Sequence, residues 1–271
     1  MAKSVTSLAV LRSERVSAHL QRVTFGGPGL AAFEPSPCAD SYVKLVFLAD
    51  GVEYPEPLDL DLVRTTFPAE AQPVLRTYTV RHVDLDAGEL VIDFVVHGDE
   101  GIAGPWAARV QPGERIHARG PGGGYTPDPE ADVHLLVGDE SALPAIAVSL
   151  EALPAGARAV VFAEVGGPDD EVALVTKADL DVRWLHRGDA EPGTTTLLDD
   201  AVRAWEWPEG RVQAFVHGES ALLKTVRPYV RERVDRRDLS VSAYWRRGVT
   251  EEGFREWKQV QKDAVIRPER D

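Results

Sequence analysis

The chain has 271 residues, a formal charge of −14, 44% hydrophobic and 27% charged residues, and a single cysteine, Cys38. That length holds one large or two ordinary domains with ample core, and a lone cysteine excludes an internal disulfide and any cysteine-rich zinc or iron–sulfur centre. The acidic total argues against nucleic acid as a partner, no run is apolar enough for a membrane span, and Met1-Ala2-Lys3-Ser4 lacks the apolar core of a signal peptide, so a cytoplasmic protein is expected.

The first half reads as strands. Ser41 to Leu48, Leu75 to His82, Glu89 to Val96 and Gly113 to Gly120 are short β-rich runs with Gly and Pro between them, the pattern of a small antiparallel barrel. Asp50 to Pro73 carries four prolines and many acids and is expected to be a long loop over the barrel rim. Gly101 to Ala108 is expected to enter a short helix.

After Pro127-Asp128-Pro129 the rhythm changes. Val133 to Gly138 is a continuous apolar strand, Ala142 to Leu153 has helical spacing, and further apolar strands are expected at Ala159 to Ala163, Val182 to Leu185, Val212 to Val216 and Leu239 to Ala243. Helical stretches at Thr196 to Trp205 and Ser220 to Val234 lie between them, so a parallel sheet with crossovers is expected. The division is then a barrel over residues 1–126 and an α/β domain over 127–271, the latter ending in a helix from Thr250 to Gln261. From Lys224 to Asp271 there are 13 Lys+Arg against 9 Asp+Glu, which is +4 and leaves −18 for residues 1–223. Such asymmetry can favour an anionic ligand at one end of an acidic protein, although a solvated arginine-rich helix face gives the same composition.

One heptad stands out, Leu75-Arg76-Thr77-Tyr78-Thr79-Val80-Arg81. An extended segment of this kind can hold a flavin, with Arg for a phosphate, Tyr for a ring face and Thr for a polar ring edge. It is equally what an ordinary half-exposed strand looks like. Alternation puts Arg76 and Tyr78 on one face. Asp93-Phe94-Val95-Val96-His97-Gly98 ends a strand in a glycine turn, and Gly104-Pro105-Trp106-Ala107 opens a helix whose unpaired backbone N–H groups suit a pyrophosphate. Gly138-Asp139-Glu140-Ser141-Ala142-Leu143-Pro144-Ala145 lacks the G-x-G-x-x-G fingerprint but offers a glycine turn, a capping hydroxyl at Ser141 and a proline-led helix start. Glu164 and the acids Asp169-Asp170-Glu171 follow the next strand, where a carboxylate can hold a ribose hydroxyl and repel a 2′-phosphate, favouring NADH over NADPH. No Ser-His-Asp order, H-E-x-x-H helix or P-loop is present, and the seven histidines lack metal-ligand spacing, so no protein-held metal is expected.

These segments, with Gly120-Pro121 and Ala243-Tyr244-Trp245-Arg246-Arg247-Gly248, resemble the siderophore-interacting proteins, flavin-dependent ferric-siderophore reductases built like ferredoxin–NADP reductases. The resemblance covers nearly the whole chain. The Arg-x-Tyr-Thr motif belongs to the wider reductase superfamily, whereas Gly-Asp-Glu-Ser-Ala-Leu-Pro-Ala and Tyr-Trp-Arg-Arg-Gly are much more specific. It implies a six-stranded FAD-binding barrel before a nucleotide-binding-like α/β domain, with Arg76 on the FAD pyrophosphate, Tyr78 against the isoalloxazine and Thr79 near N5. Thr77, Asp93, Phe94, Val95 and His97 would line the pocket, and Gly104, Pro105, Trp106 and Ala107 would hold phosphate. The family usually reads Gly-Pro-Ala-Ser before Trp-Ala, whereas here Pro105 runs directly into Trp106, so backbone N–H groups replace the missing hydroxyl. Trp245 would stack near the flavin nucleotide or anchor the final helix through Phe254, Trp257 and Val260. Lys44 and Arg246 would form a cationic rim for an anionic iron chelate, and Asp139, Glu140, Ser141 and Ala142 would meet a nicotinamide donor.

The implied activity is FAD-dependent reduction of an Fe(III)–siderophore to Fe(II) by a monomer, with NAD(P)H or reduced ferredoxin as electron donor. No protein acid or base is required at the iron. The alternatives are a flavin or ferredoxin-type oxidoreductase with another acceptor, and a non-enzymatic siderophore-binding protein.

Overall fold

A computed structural model describes residues 5–99, 101–249 and 253. The expected helix at Thr250 to Gln261, apart from Gly253, lies outside the described residues. The first half comprises β1 (Val5–Arg15), β2 (Leu20–Gly26), β3 (Tyr42–Phe47), α1 (Leu60–Thr66), β4 (Val74–Thr79), β5 (His82–Asp84), β6 (Glu89–Val95), α2 (Ala103–Arg109) and β7 (Arg115–Gly122). The second comprises β8 (Val133–Asp139), α3 (Leu143–Glu151), β9 (Arg158–Val165), β10 (Asp179–His186), α4 (Leu197–Ala204), β11 (Val212–Glu219), α5 (Val226–Arg231) and β12 (Leu239–Trp245).

Seven strands of the first half form one sheet in the order β4-β3-β7-β1-β2-β6-β5, one more than the expected six because the three-residue β5 pairs with β6. The sheet curls until its ends meet. Just past β4, Arg81 donates its backbone N–H to Val91 of β6 at 2.8 Å, and the Tyr78 ring lies 4.4 Å from that of Phe94. Val23, Phe25, Val43, Leu45, Leu90, Ile92 and Phe94 are buried inside, and α2 closes one end with Ala103 and Ala107. The longest strand, β1, and its partner β2 were not anticipated. Their polar positions are paired rather than solvated: Gln21 donates to Ser13 at 2.7 Å, and Arg22 makes two bonds to Asp93 at 2.7 and 2.8 Å. The expected loop at Asp50 to Pro73 contains α1, whose first N–H groups at Asp61 and Leu62 donate to the Asp59 carboxylate at 3.0 Å.

The second sheet is parallel, in the order β10-β9-β8-β11-β12. Every residue of β8 and β11 is buried, which explains their continuous apolar runs. Helix α3 covers one face over Leu136, Val161 and Phe215, while α4 and α5 cover the other over Leu135, Val160 and Val216. The chain runs outward in both directions from the β8–β11 pair, so the strand order reverses there and opens a crevice at the carboxyl ends of these two strands.

Candidate functional site

The register of β4 against β3 decides where the heptad points. Arg76 lies opposite Leu45 and Tyr78 opposite Val43, and both partners are barrel core, so Arg76 and Tyr78 share the inward-facing side at the seam where the sheet closes. Thr77 faces the other way, opposite Lys44, and Thr79 lies opposite Tyr42. Thr79 is buried, and its side chain is the hydrogen-bonding neighbour of the Tyr244 hydroxyl at the end of β12. Burial holds that phenol protonated far above its ordinary range. The second arginine, Arg81, binds the other half of the protein instead of a ligand: its guanidinium takes both Glu151 oxygens, at 3.0 and 2.5 Å, at the end of α3.

The following segment divides between lining and support. The Asp93 carboxylate is occupied by Arg22 and Phe94 is fully buried, in tilted ring contact with Phe25, Tyr78 and Trp106. Val95 is half-buried and His97 is exposed. The His97 pKa is pulled down to about 4, first by burial of part of the ring and then by the like charges of His19 and Arg187. Helix α2 lies against the end of β6, where a Cβ on Gly104 would come within 3.1 Å of the Val95 carbonyl. Trp106 and Ala107 point into the barrel: Trp106 is parallel to Phe25 at 6.3 Å, and Ala107 is fully buried. Pro105 has no N–H, and the Trp106 N–H is spent on Ile102 at 3.1 Å. The first N–H groups of a helix have no partner within it, so those of Ala103 and Gly104 are the donors this end offers.

At the crevice of the parallel sheet the sequence segments of the second half converge. Asp139 ends β8, Glu164 lies in β9, Glu219 ends β11 and Trp245 ends β12. The Asp139 carboxylate is 7% exposed and accepts the Trp245 indole N–H at 2.8 Å, the Glu219 N–H at 2.9 Å, and both the backbone N–H and hydroxyl of Ser141 at 2.9 and 2.5 Å. Ser141 therefore does not cap α3. The helix starts at Leu143 with Ala142 preceding it and no side-chain cap, because a buried carboxylate two residues back claims the hydroxyl. Gly138 is required at the strand end: a Cβ there would sit 2.4 Å from the Ala142 Cβ and 2.7 Å from the His217 carbonyl.

Glu140 is paired with the buried Arg187 at 2.5 Å, and Glu164 accepts the Thr195 hydroxyl at 2.7 Å. Burial raises the pKa of Asp139, Glu140 and Glu164, against the opposing contacts of Ser141 and Trp245, Arg187 and Thr195 respectively. Four buried carboxylates and one arginine make this crevice strongly acidic. Of the acids after β9, Glu171 pairs with His186 and Asp170 turns toward the barrel. Asp170, His19 and Glu140 bring ligand-type atoms within 4.8 Å of one another, but the His19–Asp170 and Glu140–Arg187 ion pairs already engage them.

Lys44 lies in β3 of the first sheet, and Arg246 follows directly on β12, the edge strand of the second. Tyr244, two residues before Arg246, reaches Thr79 on β4 beside the Lys44 strand. The register also places Arg119 of β7 directly opposite Lys44 on its other side, so the β3–β7 pair carries two adjacent cations. Arg119 was not singled out from the sequence, because only the pairing of strands 75 residues apart brings it to Lys44.

The barrel half, residues 9–125, matches the model of the siderophore-interacting FAD-binding domain, and residues 131–248 match that of the siderophore-interacting protein. The ferric vibriobactin reductase ViuB of Vibrio cholerae is 36% identical over 267 residues, covering 94% of each chain. An NADPH-dependent ferric-chelate reductase of Escherichia coli is 29% identical, over 88% of this chain and 91% of its own. The crystal structure of a siderophore utilization protein from T. fusca superposes with a TM-score of 0.80 at 37% identity, over 92% of this chain and 95% of the other. With both halves matched in order and a relative of 36% identity aligned end to end, the chain belongs to the siderophore-interacting protein family and its barrel is an FAD-binding domain.

Proposed function

We propose that this protein is an FAD-dependent ferric-siderophore reductase of the cytoplasm. The observation that carries the reading is the shared face of Arg76 and Tyr78 at the barrel seam, set beside the C-terminal end of β12, in a chain whose halves match a siderophore-interacting FAD-binding domain and its partner domain. The residues present suit the cofactor. Arg76 supplies a cation for the pyrophosphate, the Ala103 and Gly104 N–H groups supply neutral donors, and Tyr78, braced by Phe94, supplies a flat ring surface.

When bound, FAD supplies the chemistry that side chains lack, accepting a pair of electrons and releasing them singly. The chain binds, orients and shields. Arg76 and the start of α2 hold the anionic end, Tyr78 fixes the ring plane, and the Thr79 hydroxyl presents a polar group to the ring edge. Lys44 and Arg119, with Arg246, form the cationic border that receives an anionic iron chelate. One-electron reduction of chelated Fe(III) lowers the charge on the metal, weakens its bonds to hard oxygen ligands and releases Fe(II). At the crevice, Glu164 favours NADH over NADPH as a pyridine-nucleotide donor, and reduced ferredoxin is the other donor class.

The test is anaerobic reduction of the purified flavoprotein by NADH, NADPH and reduced ferredoxin in turn, followed through the flavin spectrum and then by addition of a ferric chelate. Reduction by one donor followed by chelate-dependent reoxidation supports the reading. Reoxidation by other acceptors alone makes the protein a different flavin oxidoreductase, and a colourless protein that gains no FAD yet binds a siderophore makes it a binding protein.

A further inference from the structure

The two halves meet at a hydrogen-bonded junction centred on Asp170. This residue ends the short turn Pro168–Asp170 after β9 and is 2% exposed. Its carboxylate accepts the His19 backbone N–H at 2.8 Å, the His19 ring Nδ1 at 3.0 and 2.9 Å, and the Ser17 hydroxyl at 3.3 Å, all from the turn between β1 and β2. The Ala18 N–H adds a bond to the Asp169 carbonyl at 3.0 Å. Only glycine fits at 166, where a Cβ would lie 2.6 Å from Asp170 Oδ2 and 3.4 Å from the His19 ring. Although burial opposes it, the His19 contacts hold the Asp170 carboxyl below the usual carboxylate range. An ionised carboxylate only accepts, so Nδ1 of His19 carries a proton and the orientation of the ring is fixed.

From His19 the junction continues toward the flavin domain by two routes. The His19 carbonyl accepts the Val96 N–H at 2.9 Å, and the His19 ring lies 5.6 Å from the His97 ring at an angle of 36°. We propose that Asp170 is a positioning residue for the flavin pocket: it holds His19, and His19 sets the placement of Val96 and the His97 ring. The assignment rests on the reading of His97 as a pocket residue and gives the α/β half a direct hold on the flavin environment.

A double-mutant cycle with Asp170→Asn and His97→Ala tests it, read by the FAD dissociation constant and the visible flavin bands. Asn preserves the shape of Asp170 but removes its charge; should that variant misfold by circular dichroism, His19→Gln breaks the same link and replaces it in the cycle. Asp170→Asn should weaken FAD about 5-fold and shift the flavin bands in the direction His97→Ala does, and should do neither once His97 is already Ala. Equal effects in both backgrounds would make Asp170 an ordinary brace and overturn the proposal. Unchanged FAD affinity and bands in His97→Ala would also overturn it while leaving FAD binding intact, whereas a wild-type protein that takes up no FAD would remove the flavin reading itself.

Discussion

Replacing Trp245 with Phe isolates one contact that ties the two most family-specific segments together. The indole N–H donates to Asp139 Oδ2 at 2.8 Å; a phenyl ring fills much of the same space but cannot donate, leaving that oxygen the Glu219 N–H alone. A hydrogen bond to a buried charged group contributes roughly 1.5–3 kcal/mol. Asp139 can recover part of the loss by taking up a proton, since burial already raises its pKa, so about 2 kcal/mol is expected. At roughly 2–4 °C per kcal/mol for a chain of this size, the melting temperature should fall by about 4–8 °C. Thermal unfolding followed by circular dichroism measures this, with FAD affinity determined in parallel and expected to stay within about 2-fold. An unchanged melting temperature with markedly weakened FAD would refute the reasoning, because the indole would then be acting on the flavin instead of on Asp139.

Three further outcomes follow from the same geometry. Arg76→Ala should weaken FAD binding by about 1.5–3 kcal/mol, roughly 10- to 150-fold, as measured by fluorescence titration; unchanged affinity would take Arg76 off the pyrophosphate. Lys44→Ala should raise the KM for anionic ferric chelates about 2- to 5-fold and leave neutral ones nearly unaffected, and equal changes for both would remove Lys44 from the substrate border. The raised pKa values of Asp139, Glu140 and Glu164 mean that the folded chain keeps protons there that the unfolded chain has released, so their contribution to stability falls as pH rises from the ordinary carboxylate range through the folded values. Glu164→Gln should flatten that part of the urea-denaturation profile, and an unaltered profile would contradict the assignment.

The parallel sheet was legible because β8 and β11 are buried on both faces and their central residues, Leu135 to Val137 and Ala214 to Val216, are apolar without alternation. Strands β1 and β2 were not, since Gln21 and Arg22 look solvated in sequence and are compatible with a barrel wall only once Ser13 and Asp93 are known to face them. Helix α1 was hidden in a proline-rich acidic segment for a similar reason: Asp59 reads as a loop acid until its carboxylate is seen capping the next turn. The heptad and the two specific segments located the flavin domain and the crevice. What they could not reveal were pairings across the fold: Arg119 beside Lys44, Trp245 on Asp139, and Asp170 on His19, 151 residues away. Arg81, equivalent to Arg76 by sequence, differs in role because it lies just past the end of β4, within reach of Glu151.

The central claim is electron transfer from the protein-bound flavin to chelated iron, and a single-turnover experiment addresses it without reference to the donor. FAD-loaded protein, reduced photochemically under anaerobic conditions, is mixed with a ferric catecholate siderophore in the presence of a chromogenic ferrous chelator. The flavin absorbance should return to its oxidised form as about two ferrous ions appear per flavin. A flavin that stays reduced while the same ferric siderophore is bound would contradict the account.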